Sequence, residues 1–210
     1  MSGWAWTALA LYLVWLTAAF GWRSVLQRRR TGDTGFRGLS GRPGSASWWA
    51  GVLFLTALLG AALAPAATLA GLPVFIDGAT APHAAGVAVT VVGIGATLAA
   101  QTAMGSSWRV GVDRHDRTAL VTGGPFAYVR NPIFTAMAVT GAGLTLTVPN
   151  VLALAAFVAL VVAIELQVRV IEEPYLRQTH GPAYLEYSAR AGRFVPGIGR
   201  HPARAADPGD

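Results

Sequence analysis

Charged and aromatic side chains cluster in this chain at the edges of long apolar runs. Gly123-Gly-Pro-Phe-Ala-Tyr-Val-Arg-Asn-Pro132 is one cluster, and Arg169-Val-Ile-Glu-Glu-Pro174 is another. Gly181-Pro-Ala-Tyr-Leu-Glu-Tyr187 and Arg193-Phe-Val-Pro196 follow. On a helix turning about 100° per residue, Glu165, Arg169, Glu172 and Glu173 fall within roughly one quadrant. Glu165–Arg169 and Arg169–Glu173 are each four apart, a spacing that lets them pair. Ionisable groups at membrane depth are costly and face a polar cavity or one another. Spacing alone leaves two readings open: a ligand site, or a self-neutralised ladder whose arginine snorkels to water. The first cluster is similarly two-sided. Pro132 suits the first turn of a helix, Asn131 suits its N-cap, and Arg130 is a basic flank. Yet the Gly123-Gly124-Pro125 turn also offers backbone N–H groups to an anion.

The elements that must hold these clusters are membrane helices. Of 210 residues, 53% are hydrophobic and 12% charged, against about 25% charged in a soluble domain. The mean hydropathy is +0.48. The absence of cysteine excludes disulfides and thiolate chemistry. The net charge of +6 does not point to nucleic acid, because it is segregated along the chain. All 16 basic residues are arginine, confined to 23–42, 109–130 and 169–204. Such alternation follows the positive-inside rule. Basic and aromatic residues interleave on no soluble-looking segment, as a nucleic-acid surface would require.

The pattern predicts an all-α polytopic membrane bundle of about five transmembrane helices. Trp4–Trp22 is the first span, with its positive charge after the apolar run rather than before it, unlike a cleaved signal peptide. Residues 23–46 form an inside loop. Trp48–Ala70 is the second span, and 71–83, holding Asp77 and His83 but no arginine, is an outside loop. Ala84–Met104 is the third, with Gly86, Gly93 and Gly95 suited to close helix contact in lipid. Pro132–Leu166 is too long for one crossing. Pro149-Asn150 divides it into a tight hairpin, helix four at 132–147 and helix five at 150–172. The N-terminus is then outside the plasma membrane, and 105–131 and the C-terminus are cytoplasmic. Residues 1–197 form one domain, 1–100 its first three helices and 101–197 its polar half, and 198–210 a disordered tail. His115, His180 and His201 are dispersed without metal-ligand spacing, so no metal is expected.

Taken in order over residues 101–197, these motifs resemble the isoprenylcysteine carboxyl methyltransferase family of integral-membrane methyltransferases, which includes the phospholipid N-methyltransferases. The resemblance implies a cytoplasmic C-terminal pocket for S-adenosyl-L-methionine and a lipophilic acceptor entering from the bilayer. It implies cofactor contacts at Gly124, Pro125, Tyr128, Arg130, Asn131, Pro132, Glu172, Glu173, Tyr184, Tyr187 and Arg193. It implies catalytic roles for Arg130, Asn131, Arg169 and Glu173. Asn131 stands where many members have histidine, and Phe134 where tyrosine is usual.

The chemistry of such a cofactor suits these side chains. Glu172 or Glu173 pairs its ammonium, Arg130 or Arg169 its carboxylate, and the Tyr128 ring faces a cation. The sulfonium already activates the methyl group, so the protein's task is in-line positioning and exclusion of water. A carboxylate acceptor needs no base, and with no histidine at 131 the reading favours O-methylation of an isoprenylcysteine-like carboxylate. Phospholipid N-methylation and thiol S-methylation are the alternatives; there Glu173 or a tyrosine must take the proton. From another class, a membrane reductase using NADPH or a non-catalytic membrane-binding protein remains open.

Overall fold

A computed structural model describes residues 1–34, 41–105, 108 and 119–201. Its helices are α1 (Ser2–Thr31), α2 (Ala46–Leu69), α3 (Thr80–Met104), α4 (Pro132–Thr147) and α5 (Val151–Arg190). All but α4 are long and apolar enough to cross a membrane, and α4 is a shorter apolar helix. The polytopic helical bundle expected from the sequence is thus present. Its outward faces carry apolar side chains such as Leu59 at 56% and Val92 at 67% exposure. Bands of this kind are costly in water and appropriate to lipid.

Two helices outrun their expected ends. α1 does not stop at Arg23 but continues to Thr31, so the loop begins later than the charge pattern suggested. Arg, Leu and Gln are good helix formers. Only Gly32, in the left-handed region at φ 80°, ends the helix, its amide bonding Arg28 O at 2.9 Å. Within α1, residues Thr17–Trp22 form a π-helical turn. Such turns disturb the helix ladder, and here Ala19 O accepts a bond from Gln101 Nε2 of α3 at 2.9 Å. α5 likewise runs far past residue 172. It carries a π-helical turn at Gln167–Glu172 and a break at Gly181, whose φ is 50°.

The α3–α4 seam is built on missing side chains. A Cβ on Gly86 would lie 2.5 Å from Thr147 N, and one on Gly93 would lie 2.5 Å from Thr140 Oγ1. Gly143 of α4 meets Thr90 of α3 in the same way. The threonine hydroxyls bond carbonyls four residues back, as Thr140 does to Ala136 O at 2.9 Å. These hydroxyl donors are then not left bare at membrane depth. Gly95 plays no such part, since nothing lies within 4 Å of its missing Cβ.

The turn after α4 is the expected hairpin. Asn150 is fully buried; its Oδ1 accepts from Ala153 N at 2.8 Å, capping α5. Its Nδ2 donates to Ala64 O and Thr68 Oγ1 of α2 at 2.9 and 2.8 Å. His83 departs from its expected place in a polar loop. It is buried in α3, with Nδ1 3.0 Å from Thr147 O and its ring stacked on Trp4. A ring nitrogen there satisfies a carbonyl at the end of α4.

Candidate active site

The motif before α4 and the segment after α5 are zipped together along the backbone. Val129 and Gly192 form a parallel bridge. Arg130 N donates to Gly192 O at 2.7 Å, Gly192 N to Tyr128 O at 3.0 Å, and Asn131 N to Arg193 O at 3.2 Å. Gly192 is required here, because a Cβ would collide with the Val195 carbonyl. The turn that leads in, Gly124–Ala127, is a 3₁₀ turn opened by Gly124 at φ 58°. Gly124 rests against the end of α3, its missing Cβ 3.7 Å from Ala103 Cβ.

At the centre of this junction Glu173 is gripped by two arginines. Arg193 donates from Nε to Oε1 at 2.7 Å and from Nη2 to Oε2 at 3.0 Å. Arg130 Nη2 donates to Oε1 at 2.9 Å. The remaining Arg130 bonds hold carbonyls of the C-terminal segment: Ser188 O at 3.1 Å, Ala191 O at 2.7 Å and Gly199 O at 3.0 Å. The Arg130 and Glu173 side chains are 2% and 6% exposed. The Glu173 carboxylate raises the Arg193 guanidinium above its usual range, chiefly through their hydrogen bond. Arg130 and Glu173, both expected at a ligand, here pair with each other, Arg130 also with backbone carbonyls and Glu173 with Arg193. Sequence spacing identified both residues but not that they are partners, because the contact is tertiary.

The π-helical turn accounts for a second departure. A wider turn shifts the phase of everything after it, so Glu173 does not follow Arg169 on one α-helical face. Glu173 points into the junction. Arg169 pairs with Glu165 in close contact, and its side chain is 54% exposed. Glu172 lies between them, half-buried, accepting from Gln167 Nε2 on Oε1 at 3.0 Å. Part of the expected ladder therefore exists, Glu165–Arg169, while Glu173 belongs elsewhere.

The aromatic residues also separate. Tyr128 is 69% exposed beside the turn. Tyr184 and Tyr187 are buried and packed edge to face, their centroids 6.3 Å apart. Tyr187 donates its hydroxyl to Phe126 O at 2.7 Å. The Tyr184 hydroxyl and Arg130 Nε are buried with no hydrogen-bond partner among the described residues. Asn131 sits at the N-cap of α4 but makes no side-chain cap. Its Nδ2 donates to Arg193 O at 3.1 Å, so the amide joins the two motifs. Pro132 is buried at the first position of α4, and half-buried Pro125 lies in the 3₁₀ turn. Phe134 packs into the apolar core.

Residues the sequence reading passed over complete the junction. Thr135 Oγ1 donates to Phe194 O at 2.9 Å. Residues 198–201, read as the start of a disordered tail, are tied down by hydrogen bonds: Arg193 N donates to Ile198 O at 2.8 Å, and His201 N to Ser188 O at 3.0 Å. His201 is not without a partner. Arg177 Nη2 lies 2.6 Å from its Nε2, and Glu173 Oε2 at 3.6 Å. Burial, then Arg177, lowers its pKa from the ordinary histidine value. No spacing rule flags carbonyl acceptors such as Gly199 O. The rest of the tail, 202–210, and His115 lie outside the described residues.

Residues 81–183 match the family described as phospholipid methyltransferase. No curated protein matches the chain.

Proposed function

From the match of residues 81–183 to the phospholipid methyltransferase family, a family of integral-membrane methyltransferases, we propose that this chain transfers a methyl group from S-adenosyl-L-methionine to a lipophilic acceptor at the cytoplasmic face of the plasma membrane. The observation that carries this reading is the set of polar and aromatic side chains that flank the Arg130–Glu173–Arg193 junction without being part of it. Glu172, half-buried and bonded by Gln167 on Oε1, is a carboxylate that suits an ammonium. Arg169 is half-exposed and suits a carboxylate. Tyr128 shows its ring to solvent and suits a cation. No atom lies within 4 Å of a Cβ built on Gly123, so a ligand can approach that backbone. The donor set therefore fits the cofactor. When bound, the cofactor supplies a methyl group already activated by its sulfonium; the chain binds, orients and excludes water. Arg130, Glu173, Arg193 and Asn131 act here as the frame that aligns the two walls, with Tyr184 and Tyr187 packed behind.

Two acceptor classes fit the head of the site. An isoprenylcysteine-like carboxylate needs no base, which suits a site with asparagine at 131 and Glu173 held by two arginines. A phospholipid amine suits the family and needs a proton acceptor; with Glu173 held by two arginines and Glu172 given to the cofactor's ammonium, that role falls to a tyrosine such as Tyr128. Tyr128→Phe should abolish N-methylation while sparing O-methylation. The primary experiment is thermal stabilisation of the purified protein. S-adenosylhomocysteine at about 100 times its dissociation constant should add roughly 2.7 kcal/mol; stabilisation by NADPH instead would replace this reading with a reductase. For orientation, a cysteine at Asp77 should label from outside only, since arginine is absent from its loop.

A further inference from the structure

The first helix reaches across to the end of the third. Arg23 follows directly on the π-helical turn of α1 and is 5% exposed. Its Nη2 donates to Gln101 O at 3.3 Å and to Gly105 O at 2.5 Å, carbonyls at the end of α3. Gln101 O needs a donor from outside its own helix. The Gly105 amide, which would meet it in a continuing α-helix, turns instead to Thr102 O, and Gly105 leaves the helix at φ 59°. Gln101 fastens the contact from the other side, its Nε2 donating to Ala19 O in the π-helical turn at 2.9 Å. The ring of buried Trp108 covers the guanidinium, its centroid 4.9 Å from Arg23 Cζ.

A neutral donor could satisfy these carbonyls without burying a charge, which is costly. What a cation adds is attraction to the negative end of the α3 dipole and to an aromatic face. The end of α3 held in this way is also the seat of the turn that opens the candidate site. Gly124 rests on Ala103, its missing Cβ 3.7 Å from Ala103 Cβ. Tyr187 holds the same turn from the other side, through Phe126 O. α1 lies outside the matched residues 81–183, yet through Arg23 it bears on that wall.

We infer that Arg23 is a positioning residue: its cation clamps the end of α3 and so fixes the Gly124–Ala127 turn for the cofactor. The consequence for the cofactor rests on the methyl-transfer reading; the clamp does not. Hydrogen exchange of the full-length protein in detergent reads the clamp at the Phe126, Tyr128 and Val129 amides, which bond within the turn. The Val148 and Ala153 amides of the outer hairpin are the reference. Arg23→Gln should lower protection in the turn about tenfold or more, the range of a charge-assisted hydrogen bond, and leave the hairpin level. Arg28, Arg29 and Arg30 remain to orient α1 in the membrane. Arg23→Lys, which keeps the cation, should recover most of the protection. S-adenosylhomocysteine, titrated on the same samples, should bind Arg23→Gln about tenfold more weakly than wild type. An unchanged turn, an equal fall at the hairpin, or lysine no better than glutamine overturns the clamp. A loosened turn with unchanged affinity overturns the positioning role. If wild type itself does not bind S-adenosylhomocysteine, the methyl-transfer reading falls and the positioning role with it, and the exchange result alone decides the clamp.

Discussion

The α3–α4 seam and the junction at Glu173 hold helices together by opposite means. In the seam, Gly86 and Gly93 let backbones touch Thr147 and Thr140, and each hydroxyl is bonded within its own helix. Nothing there is charged, and the contact is shape. In the junction, one carboxylate and two guanidiniums join four stretches of chain that share no helical face. The seam works in lipid because it exposes no polar group. The junction works because its charges pair and three Arg130 bonds meet carbonyls, with Arg130 Nε the exception. A bundle made only of seams is inert; the junction is where polar groups gather near the membrane's edge.

Breaking the junction should have the largest effect. Arg130→Ala leaves three carbonyls without their donor, and Glu173→Gln leaves two arginines without their carboxylate. Losing one partner of a buried pair costs about 3–5 kcal/mol. Each variant should insert into membranes yet lose hydrogen-exchange protection at residues 188–201, and cofactor stabilisation with it. The double variant should cost clearly less than the sum. Full protection in Glu173→Gln would show that the triad is not what holds the C-terminal segment.

The seam can be sharpened by two glycines two residues apart. Gly93→Ala drives a methyl group against the Thr140 backbone and should cost about 1–3 kcal/mol. Gly95→Ala meets open space and should be neutral or stabilise by roughly 0.5–1 kcal/mol, as for glycine in a helix interior. Thermal unfolding in detergent compares them; equal effects would mean that small size at the seam is not the cause.

The difference between the regions also explains what the sequence made legible. Five helices, the Pro149-Asn150 hairpin and the glycines at 86 and 93 follow from hydropathy, turn chemistry and residue size, all local. The residues of the junction were legible as types, since arginine and glutamate at membrane edges stand out. Their pairing was not. The π-helical turn at 167–172 changes the phase of α5, which no α-helical periodicity anticipates, and so Arg169 was grouped with Glu173. His83 and His201 were passed over because their partners, Thr147 O and Arg177, are distant in sequence.

Asn131 tests the join between the two regions more gently. Asn131→Ala removes the Nδ2 bond to Arg193 O and should cost about 1 kcal/mol. Asn131→His should introduce a titration near pH 6.5 into the activity profile. An unchanged profile, together with full activity of the alanine variant, would place the residue outside the site.

The smallest effect expected is a pH dependence of the C-terminal strap. Burial removes water from the His201 imidazole, and the Arg177 guanidinium donates to its Nε2, which must then be unprotonated. Both favour the neutral ring; Glu173 at 3.6 Å opposes them more weakly. The folded pKa therefore lies below that of the unfolded chain, about 6.5. The folded state binds the proton less well, so stability from His201 is fully present above that value and is lost as pH falls through the folded pKa. The reporters are the Arg193 and His201 amides, which bond Ile198 O and Ser188 O. Their protection factors, corrected for intrinsic exchange, should fall on acidification in the wild type. In His201→Gln, whose side-chain oxygen still accepts from Arg177 but does not titrate, they should stay level. Protection that rises in acid would mean that the attraction of Glu173 for a protonated ring outweighs burial and Arg177, and the strap would then be held by charge, as the junction is, rather than by a neutral acceptor.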